Sequence, residues 1–463
     1  MRDRGHRGAF KKSKWALSVS LLWLGACSLP PIPETVAAAP SSANTIPVVR
    51  DASGILSVEQ AKRVYASLAR EGDTDLLRRH LRSAEGSEAS PLVVGNSAKL
   101  LIDGPATHNA MFAAIAAARD HVNLQSYIVS DDEAGARLVK ALSAKRAQGV
   151  KVNLLYDSVG SMDTPKEYFE SLRQQGISVC EFNPVNPLKA KGDWQINNRN
   201  HRKILVVDGR VAFTGGINIS GVYSAGSAGS GRKTAEEGWR DTHIRIAGPI
   251  AAEAQKLFEA DWARYCGAME KAAYFPKVEP AGSLVMRMTG GVPNQGNEIY
   301  GALLSAVEHA ERSVHLTYGY FVPDPRTVDT LKAAAARGVD VVLMLPGFSD
   351  FWAPLYAGRS YYDDLLAAGI KIYERPDALL HAKTAVVDGV WSSIGSTNLD
   401  WRSLVHNYEA DVIVYGDEFG GRMEELFSND LNVSRQITLD QWRDRGAVSR
   451  FKEWFARRWG YLL

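Results

Sequence analysis

One stretch of this chain occurs twice, and the duplication restricts the possible fold more than any other feature. Asn200-His201-Arg202-Lys203-Ile204-Leu205-Val206-Val207-Asp208-Gly209 runs on to Gly215-Gly216-Ile217-Asn218. Leu380-His381-Ala382-Lys383-Thr384-Ala385-Val386-Val387-Asp388-Gly389 runs on to Gly395-Ser396-Thr397-Asn398. In both copies a Lys follows the His by two residues, an Asp comes five further on and an Asn ten beyond that, and the copies lie 180 residues apart, from 201 to 381. Each copy is a β-branched run, an Asp-Gly and a second apolar run, which predicts a β-hairpin. Residues two apart on a strand face the same way, so His201 shares a face with Lys203, and His381 with Lys383. A two-residue turn at Asp208-Gly209 pairs Val207 with Arg210 and sets His201 opposite Gly216; the same count sets His381 opposite Ser396. A small residue beside each His leaves room for a bulky substrate group. Asp208 and Asp388, several residues from the His end, read as turn and hairpin support.

A lone His-x-Lys carries almost no information, but two intact copies do. The chain resembles the phospholipase D superfamily, whose signature is a doubled His-x-Lys followed at fixed spacing by Asp, Gly-[Gly/Ser] and Asn. The resemblance runs from about Leu92 to the C-terminus, and within the superfamily the chain looks most like bacterial cardiolipin synthases. It implies an α/β fold: two tandem α/β/α sandwich repeats with pseudo-two-fold symmetry and one shared central site. The catalytic set it implies is His201, Lys203, Asp208, His381, Lys383 and Asp388, with Asp241 in the first half and Glu409 in the second as acidic partners of the imidazoles. Which acid meets which His stays open. Asn218, Asn398, Gly216 and Ser396 are the implied substrate-binding positions, and no metal or cofactor is required.

The chemistry fits these residue types. A phosphodiester is anionic and its alkoxide leaves poorly, so the reaction needs a nucleophile, a proton donor on the far side and cations that gather charge. Imidazole serves for the first two because its pKa lies near working pH. By analogy His201 attacks phosphorus and His381 acts as acid and base, while Lys203, Lys383, Asn218 and Asn398 hold the non-bridging oxygens.

Around this centre, residues 1–27 read as a lipoprotein signal peptide: a basic start, a short apolar run from Trp15 to Leu24, and Leu24-Gly25-Ala26-Cys27 as the lipidation box. Ser28 after Cys27 implies outer-membrane sorting, with the enzyme facing the periplasm. Residues 28–90 are a Pro-rich tether and a short helical segment, whose Ser57-Val58-Glu59-Gln60 resembles a capping box. Alternating helices and strands then predict one α/β domain over 91–285 and a second over 286–463. Asp103-Gly104 reads as a turn before a helix over 107–121. The Gly- and Ser-rich segment from Gly221 to Gly238 is either a surface loop or a border of the substrate channel. Gly347 to Tyr362 is dense in aromatic residues that suit a core or a grip on acyl chains. Phe451, Trp454, Phe455, Trp459 and Leu462 recur at helical spacing opposite Lys452, Glu453, Arg457 and Arg458, an amphipathic pattern suited to a lipid surface.

With a net charge of +2, no global field points to nucleic acid, and none is expected as a partner. No Cys/His cluster has zinc spacing. Of the three cysteines, Cys180 and Cys266 remain after Cys27. Export permits a disulfide, but Cys180 lies in an apolar strand and both are expected as free thiols. The leading functional expectation is phosphatidyl transfer between lipids, two phosphatidylglycerols giving cardiolipin and glycerol. The rivals are a hydrolytic phospholipase D, a nuclease of the same superfamily, and a lipid binder without catalysis.

Overall fold

The computed structural model describes residues 48–68, 74–82, 90–189, 194–227, 238–293 and 296–460. The signal peptide with Cys27, most of the Pro-rich tether, the loop over 83–89, the middle of the Gly- and Ser-rich segment and Leu462 lie outside the described residues.

Two sheets repeat one strand order. The first comprises β1 (Leu92–Ile102), β2 (His121–Ser126), β3 (Lys151–Asp157), β4 (Ser178–Phe182), β5 (Ile204–Val207), β6 (Val211–Gly215) and β7 (Thr242–Ala247). The second comprises β8 (Leu284–Gly291), β9 (Ser313–Tyr318), β10 (Asp340–Pro346), β11 (Lys371–Arg375), β12 (Lys383–Val387), β13 (Trp391–Gly395) and β14 (Asn407–Tyr415). The neighbours run β1-β7-β6-β5-β2-β3-β4 in one and β8-β14-β13-β12-β9-β10-β11 in the other. β2, β3 and β4 are parallel, as are β9, β10 and β11. Parallel neighbours need long crossovers; helices Glu133–Ala147, Lys166–Gln174 and Pro325–Ala336 provide three of them. β1 and β8 pair antiparallel, Asn96 with Leu284 and Val93 with Met286, which joins the two sheets at one edge.

The doubled motif builds the centre of each sheet. Side chains alternate along a strand, so Leu205 and Val207 enter an outer core with Ile115, Leu138 and Leu142. Ile204 and Val206 enter a central core with Ile244 and Ile246 of their own sheet and with Met286, Ile394 and Val412 of the other. The continuous apolar runs at 204–207 and 385–387 follow from this burial on both faces. The Ser57 box forms as its residue types require: Ser57 N donates to Gln60 Oε1 at 2.9 Å and Gln60 N to Ser57 Oγ at 3.3 Å. Among the described residues no helix is long and apolar enough to cross a membrane.

Three expectations are corrected. The first concerns the hairpins. Arg210 N does donate to Val207 O at 3.1 Å, and Asp208 and Gly209 both have positive φ, so the turn is the short one. The ladder, however, resumes with Val207 opposite Val211 and, in the second copy, Val387 opposite Trp391. Arg210 and Val390 are extra residues, and the shift by one removes the facing of His201 with Gly216 and of His381 with Ser396. The second concerns the first helix of the first repeat, which spans Asp103–Ala117 and not 107–121. It stops early because Asp208 takes the amides of Arg119, Asp120 and His121, which commits them to the entry of β2. The third concerns the cysteines. Cys180 and Cys266 form a disulfide with Cα atoms 5.7 Å apart. Cys180 on β4 lies in one apolar cluster with Phe258, Trp262 and Tyr265 of helix Ala251–Tyr265, and Cys266 caps that helix. Both thiols are thus brought to one spot although 86 residues separate them.

Candidate active site

Two very short parallel bridges between the halves build the site. Arg199-Asn200 pairs with Asn407-Tyr408, and Leu379-Leu380 pairs with Trp239-Arg240. His201 N donates to Tyr408 O at 2.9 Å, and His381 N to Arg240 O at 2.8 Å. One residue beyond each bridge a histidine therefore stands beside a carboxylate of the opposite half. His201 Nδ1 lies 3.0 Å and 3.1 Å from the two Glu409 oxygens, and His381 Nδ1 lies 2.7 Å from Asp241 Oδ2. Each acid thus braces the histidine of the other half, which settles the pairing that the sequence left open.

Both histidines line a single cavity of about 390 Å³, together with Asn218 and Asn398. With each Nδ1 engaged, Nε2 is the ring nitrogen left for a substrate. The cavity opens beyond the carboxyl ends of β2, β3, β9 and β10, the end where sheets with parallel strands commonly bind ligands. Tyr127, just after β2, stands edge-on to His201 with ring centroids 5.1 Å apart. Trp239 lies 5.0 Å from the His381 ring. Sequence inspection missed Tyr127, Tyr320, Asp350 and Asp400 as lining residues; their position at strand ends was the available signal.

The lysines lie behind the histidines. Lys203 Nζ donates to His201 O at 2.6 Å, and Lys383 Nζ donates to His381 O. Both are buried, and among the described residues neither has a carboxylate within ion-pair distance. Burial pulls Lys203 down to about 7 and Lys383 to about 8. Two buried cations without an ion-pair partner make the site electrostatically receptive to an anion.

Burial likewise lowers His201 to about 4, against the pull of Glu409. Burial and the two lysine charges hold His381 well below its ordinary value. The carboxylates differ. Burial pushes Asp241 up to about 6. Burial also pushes Glu409 up, but the His201 bond and Lys203 outweigh it and hold Glu409 below the usual range. Near neutrality Glu409 is an anion beside a neutral imidazole, whereas the Asp241–His381 pair binds a proton more readily.

The small residues serve the acids and not the histidines. A Cβ on Gly216 would come within 2.1 Å of Asp241 Oδ1, so only glycine lets that carboxylate seat. Ser396 Oγ donates to Glu409 Oε2. The asparagines are unequal. Asn218 accepts from Ile128 N at 3.1 Å and donates to Tyr223 OH at 3.0 Å, whereas Asn398 Oδ1 is buried without a hydrogen-bond partner among the described residues. Asp208 and Asp388 are outside the cavity lining. Asp388 accepts from the amides of Glu311, Arg312 and Ser313 and pairs with His80 Nε2 at 3.0 Å. Buried guanidinium–carboxylate pairs brace the bridges: Arg202 holds Asp261 at 2.9 Å, and Arg240 holds Asp430 at 2.7 Å.

Comparison with known proteins agrees with this geometry. A family model described as cardiolipin synthase, phospholipase D-like domain matches residues 111–262 and 303–431, one segment per repeat. A cardiolipin synthase of Geobacillus kaustophilus is 36% identical over 388 residues, covering 83% of this chain and 76% of its own. One of Listeria monocytogenes is 33% identical over 376 residues, covering 80% and 76%. Among solved structures, a phosphatidylserine synthase of Haemophilus influenzae shares the fold with a TM-score of 0.56 at 13% identity, covering 79% of this chain and 93% of its own. The chain belongs to the phospholipase D-like cardiolipin synthase family.

Proposed function

We propose that this protein is a phosphatidyltransferase that joins two phosphatidylglycerols into cardiolipin and glycerol. The observation that carries the reading is the pair of carboxylate-braced imidazoles on one cavity backed by two buried lysines. His201 Nε2 attacks phosphorus; the bond to the glycerol oxygen breaks, and that oxygen takes a proton from His381. The charge that develops on the His201 ring is met by ionised Glu409. A hydroxyl of the second lipid then gives its proton to His381 and attacks phosphorus, and the phosphorus–nitrogen bond returns its electrons to His201. The order of roles follows from the carboxylates: the imidazole beside the ionised Glu409 suits attack, and the pair containing Asp241 suits proton delivery. Lys203 and Lys383 stabilise the anionic phosphoryl group from behind, and Asn398 contributes from the cavity wall.

Export and lipidation at Cys27 would hold the enzyme on the outer membrane facing the periplasm, and the Cys180–Cys266 bridge favours such an oxidising compartment. The test is to incubate the protein with phosphatidylglycerol vesicles and identify products by mass spectrometry. Cardiolipin and glycerol are expected; phosphatidic acid alone would make it a hydrolase. His201→Ala and His381→Ala should each lose at least about 10³-fold in turnover. On a nitrophenyl phosphodiester, whose leaving group needs no proton, His381→Ala should accumulate the phosphohistidine at residue 201. Accumulation in His201→Ala instead would reverse the assignment.

A further inference from the structure

The final helix, Ala447–Arg457, is packed in an unusual way. It buries Ala456 and Glu453, the latter paired with Arg445 at 2.8 Å. It leaves its large aromatic residues outside: Phe451 is 62% exposed, Trp454 53% and Phe455 42%. These rings are contiguous, Phe451 lying 5.9 Å from Trp454 and 6.4 Å from Phe455, and Phe455 6.4 Å from Trp459. A helix that serves only its own domain turns such residues inward, and a patch of this kind marks an interaction surface.

The patch continues toward the active site. Lys452 Nζ caps the Tyr356 ring at 5.1 Å, and Tyr356 lies 6.3 Å from Trp352. Trp352 is 51% exposed and its neighbour Phe351 47%; Phe351 is also a wall of the cavity that holds His201 and His381. The surroundings are cationic: Arg443, Arg450, Lys452, Arg457 and Arg458 outnumber the acids of this segment in a chain of net charge +2. Aromatic rings interleaved with Arg and Lys fit the boundary of an anionic bilayer, where rings enter the headgroup layer and cations meet phosphate.

We infer that helix Ala447–Arg457, with Phe351 and Trp352, is a docking face for anionic phospholipid bilayers that sets the catalytic cavity against the lipid surface. The inference deepens the phosphatidyltransferase reading and rests on it for the purpose of docking, though not for docking itself. A lipid then passes from the headgroup layer into the cavity along Phe351 without crossing water, which also favours a lipid hydroxyl over water as acceptor.

The test uses the full chain carrying Cys27→Ala, so that no acyl anchor contributes. Flotation with phosphatidylglycerol vesicles is compared with phosphatidylcholine vesicles, and turnover is measured on vesicles and on monomeric short-chain phosphatidylglycerol. Phe451→Ala/Trp454→Ala/Phe455→Ala should lower vesicle affinity at least about tenfold and lower vesicle turnover with it, while turnover of the monomeric lipid is unchanged. Arg450→Glu/Arg458→Glu, which leaves the rings in place, should weaken binding to phosphatidylglycerol vesicles and not to phosphatidylcholine. Unchanged vesicle binding in both variants overturns the inference. So does a dimer that the triple substitution dissociates with no loss of vesicle affinity, since a second copy would then be the occupant. Vesicle binding lost by substitution in a protein without phosphatidylglycerol turnover would leave the docking face standing and reject the transferase reading.

Discussion

The burial of Lys203 and Lys383 predicts the pH behaviour of the free enzyme. On the proposed mechanism the site works with a neutral His201 and charged lysines, so kcat/KM should fall on the acid side as His201 protonates near about 4. It should fall on the alkaline side as Lys203 and Lys383 deprotonate near about 7 and about 8. The sign follows from burial, which disfavours the cationic form of both residue types. Lys203→Arg keeps its charge at any working pH. It should carry the alkaline limb of kcat/KM upward by about one unit, to where Lys383 deprotonates, measured on monomeric phosphatidylglycerol. An unmoved limb would mean that the lysine charge is not what titrates. The individual residues were legible because their types and spacing repeat. Their partners were not, since the bonds from His201 to Glu409 and from His381 to Asp241 span 208 and 140 residues. Only the pairing of two-residue bridges between halves decides them.

At the level of elements, the hairpins show what spacing reveals and where it stops. Asp-Gly announced each turn correctly, and both Asp residues adopt the positive φ that short polar side chains tolerate. The extra residue after each turn left no mark in sequence, because Arg210 and Val390 have nothing in common chemically. It reassigned Gly216 and Ser396 from the histidines to the acids. The turn aspartates fix each hairpin to the loop before the neighbouring strand. Burial raises the Asp388 carboxyl, but His80 and the amides of Arg312, Ser313 and Glu311 outweigh it, so the group sits below its usual value. Its contribution is therefore full above about pH 4 and is lost as pH falls through that lower value. Asp388→Asn keeps the backbone conformation but turns a donor toward amides that need an acceptor. It should cost about 1–3 kcal/mol in denaturant unfolding at pH 7, with turnover per folded molecule within about threefold of wild type. A loss of turnover at preserved stability would place Asp388 in the chemistry instead.

For the whole molecule, the exchange of acids means that neither repeat owns a complete site. Each imidazole is held by the half that does not carry it, and the central core that keeps the halves in register takes Ile204 and Val206 from one sheet and Met286 and Val412 from the other. Stability of the assembled chain and integrity of the site are thus linked, and the Cys180–Cys266 bridge offers a way to separate them. It joins β4, at the far edge of the first sheet, to the end of helix Ala251–Tyr265, and neither cysteine lines the cavity. The same helix carries Asp261, which grips Arg202 next to His201. If the bridge acts only by restricting the unfolded chain, Cys180→Ser/Cys266→Ser should lose about 2–4 kcal/mol, about 2–4 °C in Tm for a chain of this size. Turnover at 25 °C should then be unchanged, because helix packing through Phe258 and Trp262 persists without the bridge. If the bridge also holds Asp261 in place, the same variant should lose turnover well below its Tm, and Asp261→Asn with the disulfide intact should reproduce that loss. Packing favours the first outcome: Phe258 and Trp262 are buried, and their burial anchors the helix more firmly than one covalent link at its C-terminal end.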